Sequence, residues 1–343
     1  MSDAVEAPPA DVQAAELPRA RTDWLPLALV PALALLALPL VGDVSAWVTL
    51  TLAGLAMGMM IFLMASGLTL VFGLMDIINF GHGVFISLGA YATLIVLGPL
   101  AGWASAESVW LNLALLLLCI AVAMGLTAAV GAVFERVIVR PVYGSHLKQI
   151  LVTMGGLIVA EQAIHAIWGA SPIPIPLPET LRGAFVFGEV VMERYRVFAV
   201  GVGLLVFVAM QLLLNRTRIG LLIRAGVENP EMVEALGYRI RRLFVSVFVA
   251  GSALAGLGGV MWAFYRQTLT AGMGMEVMVL VFIVIIVGGL GSVGGCFVGS
   301  ILVALVANYV GFLAPKLALV SNILVMALVL IWRPQGLFPV ARR

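Results

Sequence analysis

The stretch RTRIGLLIRAGVENPEMVEALGYRIRR, residues 216–242, carries six arginines and three glutamates between two long apolar runs. Charge at that density has no place in hydrocarbon, where a single Arg at mid-bilayer costs about 2.5–3.5 kcal/mol on insertion scales. The chain leaves the membrane here and returns to it, so its flanks read as spans of a polytopic bundle. Inside the stretch a two-turn helix has both ends written out. Asn229 is its N-cap, Pro230 its first helical residue, Glu231 sits in the first turn, and Gly237 stands where a left-handed C-terminal cap belongs. So short a helix is marginal alone in water. Met232, Val233, Ala235 and Leu236 give it apolar surface to bury, with Glu234 beside them. Two readings stay open at this point: a plug for a groove on another protein, or an ordinary capped turn in a loop.

The rest of the chain is 63% apolar and 10% charged, against roughly a quarter charged in soluble proteins. This is an integral membrane composition, and at about 20 residues per crossing it leaves room for about eight to ten helices and no sizeable soluble domain. Apolar runs place candidate spans at about 25–41, 48–75, 84–100, 110–134, 149–168, 197–214, 243–265, 276–290, 294–313 and 317–332. Fourteen of the 19 Lys and Arg lie in the N-terminal tail, the 135–148 loop, the 215–242 loop and the C-terminus. The positive-inside rule puts all four in the cytoplasm, with both termini. The expected layout is a disordered cytoplasmic tail over 1–24, rich in Ala, Pro and acid, then a transmembrane domain over 25–338. No cleavable signal peptide is expected.

Two places break the apolar pattern. Residues 76–83, DIINFGHG, bring a carboxylate, an amide, an imidazole and two glycines between apolar helices. Non-helical backbone at membrane depth survives only where it is buried in protein or lines a water-filled cavity. The segment is therefore either a capped interhelical turn at the membrane surface or part of a polar pathway, with Asn79 and His82 as its polar groups. Glu161 and His165, four residues apart, share one helix face. Glu161 lies about 20 Å along that helix from Lys148, in the outer half of the membrane. There it forms an ion or hydrogen-bonded pair with His165, or the two mark the mouth of a solute path.

The longest outer loop, 169–196, opens on alternating prolines that enforce extended backbone without regular pairing, and continues into a possible strand pair around Gly188. Gly251, Ala255 and Gly259, and again Gly291, Gly295 and Gly299, have the four-residue spacing that lets helix backbones approach closely. Cys119 and Cys296 sit in separate apolar runs as packing residues.

Catalytic constellations are missing. The only lysines, Lys148 and Lys316, belong to no phosphate-binding loop. His82, His146 and His165 have no metal-ligand spacing, and no nucleophile elbow occurs. No catalytic residue, metal or cofactor is expected, and nothing calls for a nucleic acid.

Several motifs agree in order and spacing with a known family. GLTLVFGLMDIINFGHGVFISLGAYAT (67–93), ERVIVRPV (135–142), EALGYRIRR (234–242), AGLGGVMWA (255–263) and VGGLGSVGGCFVG (287–299) together resemble the branched-chain amino acid type of ATP-binding-cassette importer permease, its LivH-like branch. The likeness spans about residues 48–338, with Gly81 where NFAHG is common and a longer N-terminal tail. It implies an all-α polytopic bundle of about 8–10 transmembrane helices. It also implies a non-enzymatic subunit of the bacterial inner membrane that forms half of a path for branched-chain or related amino acids or small amides. Its partners would be a second permease subunit (LivM-like or an identical copy), two ABC ATPase subunits, an extracytoplasmic solute-binding protein and the bilayer. The helix Asn229, Pro230, Glu231, Met232, Val233, Glu234, Ala235, Leu236, Gly237 would then be the piece that docks into the ATPase. Asn79, His82, Glu161 and His165 would line the path. The rival readings are a self-sufficient channel or ion-coupled secondary transporter, with Asp76 and Glu161 carrying the coupling ion, and an exporter of hydrophobic molecules.

Overall fold

Residues 24–339 are described in the computed structural model. The tail expected over 1–24 falls on 1–23, outside the described residues. In chain order the helices are α1 (Leu25–Val41), α2 (Val44–Met75), α3 (His82–Leu97), α4 (Ala101–Ala104), α5 (Val109–Phe134), α6 (His146–Trp168), α7 (Arg194–Arg216), α8 (Arg218–Glu228), α9 (Pro230–Ala235), α10 (Ile240–Arg266), α11 (Met273–Gly288), α12 (Val293–Leu313) and α13 (Ala318–Trp332). A π-helical turn, Glu135–Val139, and a 3-10 turn, Arg140–Val142, prolong α5 into one rod, Val109–Val142.

Among the described residues six helices are long and apolar enough to cross a membrane: α2, the α5 rod, α6, α7, α10 and α12. Four more apolar helices, α1, α3, α11 and α13, are shorter. The ten runs read from the sequence are thus all helical, but four of them are short, at 15–17 residues, and two of these, the half-length helices α3 and α11, begin after a break inside the bundle. α2 forms the axis, its apolar window 83% buried, against 17% for α6 and 22% for α7. Those outer helices keep broad apolar faces for lipid or another subunit.

The half-length helices come from a repeated device. α2 ends at Asp76 and α10 at Gln267, the two non-glycine residues with left-handed backbone (φ 50° and 53°) among the described residues. That conformation stops a helix, because the next residue cannot continue its spiral. Five non-helical residues follow each stop. α3 then begins at His82 and α11 at Met273, each 16 residues long. Sixteen residues span about 24 Å, short of the roughly 30 Å hydrocarbon core. The two units run in opposite directions. α2 leads toward the arginine-rich end, where Asp76 stands 3.8 Å from His146 of the 135–148 loop, whereas α10 starts from that end.

Small residues make the crossing possible. A Cβ at Gly67 of α2 would overlap the carbonyl of Gly251 in α10, and one at Gly274 of α11 would overlap the carbonyl of Gly83 in α3. The glycine spacing in α10 is therefore a packing code: Gly251 meets α2 and Gly259 meets the backbone of Ile86. Cys119 and Cys296 are buried free thiols.

Four short strands lie at the other end. β2 (Ala184–Phe187) and β3 (Val190–Glu193) pair antiparallel around Gly188, in line with the sequence. The proline run departs from its reading. β1 (Ile173–Pro174) pairs with β4 (Thr268–Leu269), and Ile175 N–H donates to Gln267 O at 3.0 Å. The isoleucines between the prolines keep their donors, and an edge strand tolerates the rest.

Replacing Gly274 with Val should overpack the α3–α11 crossing and cost about 1–3 kcal/mol. A matched Gly125→Val change, at a position with nothing within 4 Å, should leave stability unchanged. Thermal unfolding of the two purified variants checks this, and equal melting temperatures would contradict the crossing.

Candidate functional site

Several buried polar groups lie where the two half-length helices start. The non-helical segment 77–81 turns back into the bundle from the arginine-rich end, so that His82 reaches the level of Met64, well inside α2. His82 Nε2 meets the Met64 carbonyl at 2.8 Å. A carbonyl only accepts, so the ring carries its proton on Nε2. His82 is buried and acts as a pin between α3 and α2.

The same segment has donors that a helix would have satisfied, and α6 supplies the acceptors. Ile78 N–H donates to Gln149 Oε1 at 3.4 Å and Phe80 N–H to Thr153 Oγ1 at 3.1 Å. Both acceptors are buried. At the second break Ser87 of α3 does equivalent work, accepting from Gly274 N–H at 3.0 Å and donating to Ala271 O at 3.2 Å. The Ser87 bonds are buried and those from Ile78 and Phe80 part-buried; a fully buried backbone group left without a partner would cost about 1–3 kcal/mol.

Asn79, in the same segment, has no such partner. It is 1% exposed, and neither its Oδ1 nor its Nδ2 has a hydrogen-bond partner among the described residues. It lies beside Gly81, the residue preceding α3, at whose Cβ position Asn79 Oδ1 would be 3.0 Å away.

Glu161 and His165 do not bond each other among the described residues, which corrects the pairing their spacing suggested. Glu161 turns instead toward the start of α11: a Cβ placed on Gly272, the residue preceding that helix, would lie 3.3 Å from Glu161 Oε1. A carboxylate is favoured at a helix N-terminus, where unpaired N–H groups sum to a positive end. His165 is half-buried, with Nδ1 enclosed and unpartnered. The structure thus brings Asn79, His82 and Glu161 to the two helix starts, with His165 one turn beyond Glu161. Asp76 stays outside, half exposed near His146. Sequence reading missed Gln149, Thr153 and Ser87. A signal was there: Gln149, Thr153, Glu161 and His165 fall on one four-residue progression along α6, a polar stripe on an apolar helix.

The second candidate region is the charged segment at the other extreme of the bundle. It holds two helices, of which the sequence marked one. Thr217 Oγ1 accepts from Gly220 N–H at 3.2 Å and starts α8. Asn229 Oδ1 accepts from Met232 N–H at 2.9 Å and starts α9, with Pro230 at its first position. Gly237, at φ 86°, closes α9: Gly237 N–H reaches Glu234 O and Tyr238 N–H reaches Val233 O. Val233 alone of the apolar set turns inward and is buried. Met232 and Leu236 are 59% and 70% exposed, and Glu231, Glu234 and Ala235 are exposed beside them. α9 therefore stands pinned by one side chain, with the rest of its apolar surface presented outward.

A bundle with these features has known relatives by sequence. It is 29% identical to the high-affinity branched-chain amino acid transport system permease protein BraD of Pseudomonas aeruginosa over 83% of this chain and 93% of the relative. It is 26% identical to LivH of Escherichia coli, of the same description, over 83% and 92%. It is also 25% identical to a probable branched-chain amino acid transport permease protein, LivM of Methanocaldococcus jannaschii, over 81% and 90%. No solved structure matches it. Residues 50–332 match the family described as branched-chain amino acid transport system, permease component, a family of non-enzymatic transport subunits. The chain belongs to that family.

Proposed function

We propose that this protein is one of two membrane subunits of an ATP-driven importer for branched-chain amino acids or related small amino acids and amides. The observation that carries this reading is α9, a capped two-turn helix pinned by Val233 with Met232, Ala235 and Leu236 outward at the arginine-rich end. An exposed apolar face on so short a helix is stable only against a partner. The partner is a separate ATPase subunit, since the chain carries no nucleotide-binding motif of its own. A pair of ATPases, one under each membrane subunit, then drives the path by moving α8 and α9 against the bundle.

Likeness to both LivH and LivM supports a second, related permease as the other half. The thinly buried faces of α6 and α7 offer it surface. The arginine-rich end faces the cytoplasm of a bacterial inner membrane, with both termini, because fourteen of the 19 Lys and Arg fall on that side. The hairpin end then receives an extracytoplasmic solute-binding protein.

The solute path runs along α6 past the two helix starts. Asn79, Glu161 and His165 supply its polar groups and His82 holds α3 in register. Helix N-termini converging beside a polar stripe suit a zwitterionic solute, whose carboxylate they favour.

Replacing Leu236 with Asp should abolish ATP-driven uptake by the reconstituted complex while the subunit still inserts in the membrane. Undiminished uptake would show that the ATPase grips elsewhere. Uptake by this subunit without any ATPase, driven by a proton or sodium gradient, would favour a secondary transporter instead.

Asn79→Leu should keep or raise the melting temperature, because it removes a buried amide that nothing satisfies, worth about 1–3 kcal/mol. It should at the same time lower uptake. A clear loss of stability with uptake retained per folded complex would assign Asn79 to the scaffold.

A further inference from the structure

The arginine-rich end has a cleft that the importer reading does not use. It is an open cleft of about 270 Å³ lined by Glu135, Val245 and four exposed arginines, Arg136, Arg140, Arg241 and Arg242. Two elements build it: the last turns of the α5 rod bring Arg136 and Arg140, and the first turn of α10 brings Arg241 and Arg242. Among the described residues none of the four guanidinium groups is in a hydrogen bond or an ion pair. The one carboxylate in the lining, Glu135, is buried and accepts a hydrogen bond from the Tyr143 hydroxyl.

Charge is also placed against the helix. α10 has no acidic residue in its first turn and no side-chain cap, so its positive N-terminal end adds to Arg241 and Arg242 rather than offsetting them. Four planar forks around one small space match the oxygens of a phosphate group, which Arg binds bidentately. The wide π turn that carries Arg136 is a departure from α geometry of the kind that recurs at functional sites.

The surface next to the cleft selects between a dissolved phosphate and a lipid. Val133 and Val137, on the same strip of the rod as Arg136 and Arg140, are 62% and 64% exposed. An apolar track thus runs from the cleft along the membrane-facing side of the rod, the place an acyl chain would occupy.

We propose that this cleft binds the phosphodiester headgroup of an anionic lipid, held by Arg136, Arg140, Arg241 and Arg242 with an acyl chain along Val133 and Val137. The leaflet concerned, the inner one, rests on the orientation proposed above; the site does not. Basic pockets between transmembrane helices on the cytoplasmic side bind such headgroups by charge. Here the lipid would neutralise the repelling arginines and tie the rod to the start of α10, next to the segment that carries α8 and α9.

The test uses the full transporter complex purified from membranes and reconstituted in discs of phosphatidylcholine alone or doped with phosphatidylglycerol. Native mass spectrometry should find phosphatidylglycerol retained on this subunit, and doped discs should raise its melting temperature. Arg136→Gln with Arg140→Gln, and separately Arg241→Gln with Arg242→Gln, should each weaken retention about thirtyfold, equivalent to about 2 kcal/mol. Arg216→Gln with Arg218→Gln, in the same charged segment but outside the cleft, should retain the lipid. Should either Gln pair fail to fold, the corresponding Lys pair keeps the charge without the fork and should bind measurably more weakly. Equal retention by all variants would overturn the proposal. So would protection by inorganic phosphate as strong as that by the lipid, which would mark a free-anion site. Loss of ATPase stimulation with lipid retention intact would overturn it too, by turning the arginines toward the ATPase.

Discussion

Inside a bilayer a backbone amide that leaves a helix has no water to turn to, and this fold is arranged around two places where that happens. Between α2 and α3, and between α10 and α11, the chain abandons helical geometry within the bundle. Gln149 and Thr153 of α6 take up two freed donors of the first break, and Ser87 of α3 serves the second. The close approach of Gly83 to Gly274 brings Ser87 of α3 within reach of the second break, and that of Gly67 to Gly251 packs α2 against α10. Since α3 begins beside α11, the two positive helix ends converge on the region that α6 lines with polar groups.

Of the polar groups at the first break, one side chain is left over. His82 is bonded and Glu161 has a helix end, but Asn79 is enclosed without a partner. A scaffold under selection for stability alone would hold an apolar residue there. The amide is consistent with a segment whose surroundings change as solute passes. The outer helices carry the complementary logic at larger scale: α6 and α7 bury little of themselves and so remain available to a second membrane subunit.

At the arginine-rich end, order comes from local chemistry. Asn229 and Gly237 begin and end α9 by direct hydrogen bonding, and Val233 anchors it, so the helix can be presented as one rigid piece. On the proposed reading, motion from a partner would reach the bundle through α8 and the foot of α10. The neighbouring arginine cleft lies on that route, where a bound anion would bear on how freely the foot moves.

Much of this was determined by the sequence alone. Ten apolar runs, their charged connections, the capped helix at residues 229–237 and the family motifs are all local or periodic signals, and hydrocarbon punishes departures from them severely enough to make them legible. The hairpin around Gly188 was readable for the same reason. Tertiary structure decided what depends on depth and on neighbours. It showed that two of the runs begin after a break inside the bundle, since a left-handed Asp76 or Gln267 looks no different in sequence from a surface cap. It turned Glu161 from His165 toward Gly272, paired the proline run with β4, and enlisted Gln149, Thr153 and Ser87. Each of those contacts joins residues distant in the chain, and spacing along one helix carries no information about which backbone another helix will bring alongside it.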